Sequence, residues 1–359
     1  MAIPIVYFRS SSFNSHRMCP MQFYLEYALG WRGSSGKKAD KGTICHKVLE
    51  IAAVAKKAAQ DGLPSIEDRD IGEVLTDNYD AEYLEQIIQK VYDFYTSNTT
   101  HHKWTAKDLK DCTKWVWKAL QINDGMFDPR NRNVVDAEPH FDFEIKEDWA
   151  KYDYKLKDGT KLKGNLAMKG TIDLITDVGG GVYEIIDWKT GRRIDWATGK
   201  EKTQAALMKD PQLRIYHYAA KQLYPDVESF LVTIYFINDG GPFTVHLQDS
   251  DLEKTEEMLR KKFEFIKETK IPSLIRHTDP RQSWKCSKFC HQGKTTFEGT
   301  SIKPMTERRP AQITRRGECM TKCEQTKYMT EKYGIDWVTG NLINPEHVIG
   351  EYKAPGEIS

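Results

Sequence analysis

Two aspartates and a lysine within one short stretch could together hold a cation and activate water. Residues 170–191 read GTIDLITDVGGGVYEIIDWKTG. The pattern predicts Asp173 on one apolar strand and Asp187-Trp188-Lys189 on the next, with Gly179-Gly180-Gly181 as the turn of a hairpin. Residues two apart on a strand point the same way, so Asp187 and Lys189 share a face and Asp173 can lie opposite them. The three charges then sit among Ile172, Leu174, Ile185 and Ile186, where burial is costly unless charges pair or bind a metal. Two carboxylates suit a hard cation such as Mg²⁺. A neighbouring ammonium suits water activation or an anionic transition state. A surface hairpin with an Asp–Lys ion pair would carry the same residues.

The elements that must position this group follow from hydrophobic periodicity. Helices are predicted at 12–29, 43–59, 79–97 and 106–122, the first with Phe13, Cys19, Phe23, Tyr24 and Tyr27 as anchors and Pro20 near a start or kink. Residues 134–145 turn to a strand pattern, followed by the hairpin, a helix at 204–223, strands at 229–237 and 242–248, and a helix at 250–268. The fold class is therefore α/β or α+β, a mixed central sheet flanked by helices. Three more features align with the hairpin. Gly42-Thr-Ile-Cys-His46 opens a helix, with Leu49 and Glu50 following, and Glu138 lies on the strand before the hairpin. Gln212 and Tyr216 fall four apart in the helix after it, on one face.

A chain of 359 residues can bury a full core. Its hydrophobic share of 39% and charged share of 29% are ordinary for a water-soluble protein. No apolar run approaches membrane-spanning length, and the N-terminus lacks signal-peptide features. These readings predict a cytoplasmic protein, and seven cysteines, an odd number, then suggest reduced or metal-bound thiols over disulfides. The net charge of +1 is uneven: residues 276–327 hold twelve Lys/Arg against five acids, a surface suited to phosphates. The same excess would also suit a solvated loop. No GxxxxGK[ST] loop is present, which argues against an intrinsic ATPase motor.

The order GxxxH, Glu138, GTID, IIDWKTG and QLRIY resembles the RecB-type branch of the PD-(D/E)XK nuclease superfamily. Within it the chain looks most like the iron–sulfur exonucleases associated with CRISPR adaptation and their phage relatives, over roughly residues 10–290. The GxxD, IIDWKTG and QLxxY series is the specific part; GxxxH alone is weak. The resemblance implies Mg²⁺ or Mn²⁺ held by Asp173, Asp187, the Trp188 carbonyl and His46, with Glu138 as a further candidate. An imidazole ligand favours Mn²⁺. Lys189 would orient or deprotonate the attacking water, and Gln212 and Tyr216 would brace the site or touch the phosphate. The family often has Glu where Asp187 stands. The implied organisation is a helical part at 1–130 carrying Cys19 and His46, a nuclease core at 131–270, and a basic cysteine-containing segment at 271–359. His46 and Tyr216 would also serve as plain packing residues, and Cys45 and Cys112 read as inert core thiols.

Cys286/Cys290 and Cys319/Cys323 each separate two thiols by one helical turn. The resemblance implies a 4Fe–4S cluster on Cys19, Cys286, Cys290 and either Cys323 or Cys319, since such a cluster takes four thiolates. The segment between Cys290 and Cys319 is longer than the family's compact trio. A zinc site on the four C-terminal cysteines, with His291 replacing one, fits the same spacing. The function implied is a metal-dependent DNA exonuclease acting on single-stranded or frayed ends, in a bacterial host cell if phage-encoded. The alternatives are a DNA-binding or assembly module of a recombination or CRISPR-adaptation complex, with protein partners, and a zinc-stabilised structural protein.

Overall fold

The computed structural model describes residues 3–76, 80–155, 159, 161–275, 284–288, 290–300 and 320–343. Chain order begins with a short strand β1 (Tyr7–Phe8), then α1 (Ser10–Met18) and α2 (Pro20–Phe23), which runs on into a π-helical turn, Tyr24–Ala28. The expected helix at 12–29 is thus broken at Cys19, which takes extended backbone, while Pro20 occupies the first position of α2, where its missing N–H costs nothing. The long helix α3 (Lys37–Gln60) follows. It begins six residues before the expected 43, so Gly42 lies inside the helix and does not open it. A Cβ at Gly42 would sit 2.7 Å from Thr190 Oγ1. Glycine there lets α3 approach the end of the central hairpin.

A small hairpin, β2 (Ser65–Asp68) and β3 (Gly72–Leu75), leads to α4 (Ala81–Asn98) and α5 (Ala106–Gln121). The 134–145 stretch divides into β4 (Asn133–Ala137) and β5 (His140–Glu144), with Glu138-Pro139 between them. They part because Glu138 adopts φ 50°, a left-handed conformation that strands do not tolerate. Then come β6 (Lys151–Lys155), β7 (Lys161–Asn165), β8 (Ala167–Thr171), β9 (Leu174–Gly179) and β10 (Val182–Lys189). The crossover from β10 is α6 (Gln204–Leu207) and α7 (Pro211–Leu223), two pieces in place of one expected helix, divided at the Asp210 cap and Pro211. The strands β11 (Ser229–Phe236) and β12 (Gly241–Leu247) and the helix α8 (Ser250–Glu268) complete the central region.

The principal sheet has the order β12-β11-β10-β9-β4; β10 and β11 are parallel and the other neighbours antiparallel. A second sheet, β1-β8-β5, is also mixed. The fold is therefore the mixed α/β architecture expected. The five-stranded sheet separates two apolar cores. On one side Leu174, Ile186, Trp188 and Tyr235 pack with α3, α4 and α5. On the other, Ile175, Ile185, Val232 and Ile234 pack with α1, α2, α7 and α8. Strand alternation thus sends Ile185, Asp187 and Lys189 toward α7 and Ile186 and Trp188 toward α3.

The polar C-terminal stretch, in which the sequence shows little periodicity, contains helices: α9 (Trp284–Lys288), α10 (Lys322–Tyr333) and α11 (Ile335–Leu342). A reciprocal Thr321/Glu324 capping box starts α10. These helices pack on the N-terminal ones. Tyr24 Oη and Thr339 Oγ1 are 2.9 Å apart, and Trp31 Nε1 donates to the Leu342 carbonyl. Among the described residues no helix is long and apolar enough to cross a membrane.

Candidate active site

The site is built at the open end of the β9–β10 hairpin. Gly179, Gly180 and Gly181 take φ of +89°, +63° and +76° in the turn, so glycine is required there. Ladder pairing runs to Ile186↔Leu174 and stops. Asp173 is the residue just before β9 and not within the strand, as the sequence pattern had it. In place of a ladder bond, the Trp188 N–H donates to Asp173 Oδ2 at 2.9 Å. The N–H and C=O of one extended residue point to the same edge, so the Trp188 carbonyl is also directed toward Asp173. The Trp188 indole is buried in the α3 core.

Asp187 is fully buried. Its Oδ1 accepts hydrogen bonds from Lys189 Nζ at 2.7 Å and from Gln212 Nε2 at 3.1 Å. Its Oδ2 lies 2.7 Å from the same ammonium yet accepts no hydrogen bond, which leaves a buried carboxylate lone pair free for a cation. Gln212 also donates to Tyr216 Oη at 3.0 Å, so the two α7 residues act as one brace. Asp210 holds the start of that helix by accepting from the Gln212 N–H at 2.9 Å. From the other side of the sheet, α3 brings His46 Nδ1 to 3.3 Å from Asp173 Oδ2. Asp173, Asp187, Lys189, His46, Gln212 and Tyr216 are therefore one connected polar group between two apolar cores.

Glu138 stands at the margin. Its N–H donates to the Asp173 carbonyl at 3.1 Å, and its side chain lies within electrostatic reach of Glu50, Asp173, His46 and Lys47. A left-handed glutamate is costly, by roughly 1–3 kcal/mol, and such strain concentrates at functional sites. Glu50 was not among the expected site residues. It lies four residues after His46, hence on the same face of α3, and pairs with Lys47 at 3.0 Å. The i,i+4 spacing from His46 was the available signal.

The electrostatics follow from crowding acids in a dry place. Burial, with the neighbouring Asp173 charge, pushes Asp187 up to about 6 against the opposing pull of Lys189. Burial also works against ionised Asp173, but His46 and Lys189 outweigh it and hold that carboxyl below the usual range. Burial would favour neutral Lys189; Asp187 outweighs it and raises the lysine, keeping an ammonium. His46 is likewise raised, Asp173 overcoming desolvation. Glu138 is pushed up to about 7 by burial, Glu50 and Asp173. This buried group of acids, with one carboxylate oxygen that accepts no hydrogen bond, fits a divalent cation, and the residues that could hold it are Asp173, Asp187, His46 and the Trp188 carbonyl, with Glu138 and Glu50 near them.

The four thiols Cys19, Cys286, Cys290 and Cys323 are all buried. Cys19, between α1 and α2, is pushed up to about 11 by burial, with Cys290 and Cys286 close enough to add to the effect. Cys290 is held below its ordinary value chiefly by a hydrogen bond with Cys323. The two ends of the chain thus bring their cysteines together. Cys319 lies outside the described residues. Cys45 and Cys112 are buried in the other core, where the Cys45 thiol donates to the Cys112 carbonyl at 3.7 Å.

Asp173 just before β9, Asp187 and Lys189 on β10 and the Gln212/Tyr216 brace on α7 together form a group of acids and an ammonium suited to metal-assisted hydrolysis. Residues 10–291 match the PD-(D/E)XK nuclease superfamily, and the chain belongs to that family. It is accordingly a nuclease, of a family that acts on DNA and typically uses divalent metals. No curated protein matches it. Among solved structures, it is similar to one from Eubacterium rectale named "Putative exonuclease", at 12% identity and a TM-score of 0.41, covering 77% of this chain and 86% of that one.

Proposed function

We propose that this protein is a Mg²⁺- or Mn²⁺-dependent exonuclease that digests DNA from single-stranded or frayed ends, in the RecB-type branch whose iron–sulfur members accompany CRISPR adaptation and phages. The observation that carries the metal-dependent reading is the Asp187 carboxylate, buried, braced by Gln212 and Lys189, and left with one oxygen that accepts no hydrogen bond. When bound, the cation supplies Lewis-acid polarisation of the phosphate and a lowered pKa for the attacking water. The chain's own groups do the rest. Asp173 and Asp187 supply charge, and His46 fixes Asp173 from α3. Lys189, paired with Asp187, orients the water and stabilises the negative charge that develops on the phosphate. The end preference rests on the resemblance noted in the sequence.

The second cofactor in this reading is a 4Fe–4S cluster on Cys19, Cys286, Cys290 and Cys323. Its support is the burial of these four thiols and the nearness of Cys19 to Cys286 and Cys290, which a zinc site of C-terminal cysteines alone would not need. Cys323, buried beside Cys290, is the preferred fourth ligand.

The test compares linear and closed circular single-stranded DNA with Mg²⁺, with Mn²⁺ and with chelator. The wild-type protein should degrade only the linear strand and only with metal. Lys189→Ala should lose at least about a hundredfold in rate while retaining its circular dichroism. Cleavage of the circle at an equal rate would remove the exonuclease assignment. Undiminished cleavage in chelator would remove the metal.

A further inference from the structure

Away from the candidate active site, Asp40, His101 and His102 each bring one ligand-capable atom to within 4.8 Å of the others. Asp40 lies in the first turn of α3, and the two histidines lie in the connection between α4 and α5. His102 Nε2 stands 2.7 Å from Asp40 Oδ2 and His101 Nε2 stands 3.5 Å from the same oxygen. The imidazole rings are 4.1 Å apart. The geometry points to a binding site for a divalent transition metal of the zinc class, which would clamp the α4–α5 connection onto the start of α3.

Three observations carry this. The first is the direction of the donors. Asp40 Oδ2 and His102 Nε2 are both buried and neither makes a hydrogen bond, although they are only 2.7 Å apart. The lone pair of an imidazole nitrogen points where its N–H would point. An ion pair aligns that direction with the carboxylate oxygen; here it passes the oxygen by, as it does when two ligands converge on a third centre. The second is spacing. Zinc at about 2.0–2.1 Å from nitrogen and oxygen ligands in a tetrahedron separates them by roughly 3.3 Å. The observed 2.7 and 3.5 Å bracket that value. The third is charge. The nearby lysines are committed elsewhere, Lys37 to Asp108 at 2.5 Å and Lys41 to Asp111 at 2.7 Å, so neither neutralises Asp40.

The ligand set also selects the metal. Two imidazoles and one carboxylate suit Zn²⁺, which catalytic sites hold with three such protein ligands and one open position. His101 is 43% exposed, so the open position faces water. The connection is already ordered without the ion: Trp104 Nε1 donates to the Thr99 carbonyl, and Tyr92 Oη to the Thr105 carbonyl, both at 3.1 Å. Asp40 precedes His46 by six residues of one helix, about 9 Å along its axis and on a different side. The site is thus separate from the nuclease centre, although it fixes the helix that carries His46.

Zinc binding to the full-length protein, measured by equilibrium dialysis with elemental analysis, tests this directly. The wild-type protein and Asp187→Ala should both bind one zinc equivalent that His101→Gln weakens at least about a hundredfold, since loss of even an outer-shell partner costs 10–100-fold. Cobalt bound in the same position should lack the sulfur charge-transfer bands of a thiolate site. Zinc should slow amide hydrogen exchange at residues 99–105 in the wild type and not in His101→Gln. The half-exposed His101 keeps the test sound should His102→Gln fail to fold. Equal zinc affinity in wild type and His101→Gln overturns the site. Binding without protection of 99–105 overturns the clamp.

Discussion

Replacing Asp187 by asparagine should abolish nuclease activity and, in the absence of metal, make the protein more stable. Asparagine keeps the shape and the carbonyl oxygen that accepts from Gln212 and Lys189, and removes only the buried negative charge. The cost of that charge follows from its titration. In the folded chain Asp187 is raised from 3.8 to about 6, chiefly by burial. Because the folded value lies above the unfolded one, the group's contribution is fully present below about pH 3.8 and is lost as pH rises through about 6. At 1.36 kcal/mol per pH unit, the loss above pH 6 comes to about 3 kcal/mol. For a chain of 359 residues, with an unfolding entropy near 2.1 cal/mol/K per residue, this is roughly 4 °C in Tm. Differential scanning in chelator at pH 8, 5 and 4 measures it: the Asn variant should lead by about 4 °C at pH 8, about half that at pH 5, and nothing near pH 4. Adding Mn²⁺ at about 100 times its Kd should return about 2.7 kcal/mol to the wild type alone and nearly close the gap. A variant no more stable than wild type at pH 8, or a lead that ignores pH, would refute the claim that this carboxylate is held ready at the expense of the fold.

Three other outcomes are expected. Gly42→Ala should destabilise the protein by about 1–3 kcal/mol through its clash with Thr190 Oγ1, but in a Thr190→Ala background the same change should stabilise by about 1 kcal/mol, as alanine does in a helix; denaturant titration of the four proteins reads the change of sign. Glu138, raised to about 7, loses its stabilising contribution as pH climbs from its ordinary 4.5 through 7, so chelated wild-type protein should lose more Tm between pH 5 and 8 than Glu138→Gln does. Cys19→Ser should lose iron from anaerobically purified protein and fall in Tm, whereas Cys45→Ser and Cys112→Ser should keep their iron, as absorption and iron assay would record.

The parts of this molecule legible in the sequence are those whose signal is local. The hairpin is written in alternation and three glycines, and the pairing of Gln212 with Tyr216 in a four-residue step. Places where the structure departs from that reading are set by tertiary contact. Asp173 falls outside its strand because the ladder ends at Leu174 and its carboxylate takes the Trp188 N–H instead. Glu138 parts two strands through a backbone conformation that no propensity foretells. Glu50 gains its place only once α3 is laid beside Glu138, and α10 escapes hydrophobic periodicity because the residues it buries include Lys322, Glu324, Thr326 and Thr330. Arg308, Arg309, Arg315 and Arg316, part of the basic stretch at 276–327 read as suited to phosphates, lie outside the described residues.

That docking sets a schedule for the newborn chain. Tyr24 meets Thr339 and Trp31 meets Leu342 across 315 and 311 residues. At translation speeds of about 5–20 residues per second, the N-terminal helices wait roughly 15–60 s before their partners leave the ribosome. Through that interval Phe23, Leu25 and Leu29, all buried at the finish, have only part of their covering. A chaperone that shields the first thirty residues would therefore raise the yield of folded protein more than one acting on the sheet, and a nonsense mutation that removes α11 and the residues after it would be felt first at the opposite end of the polypeptide.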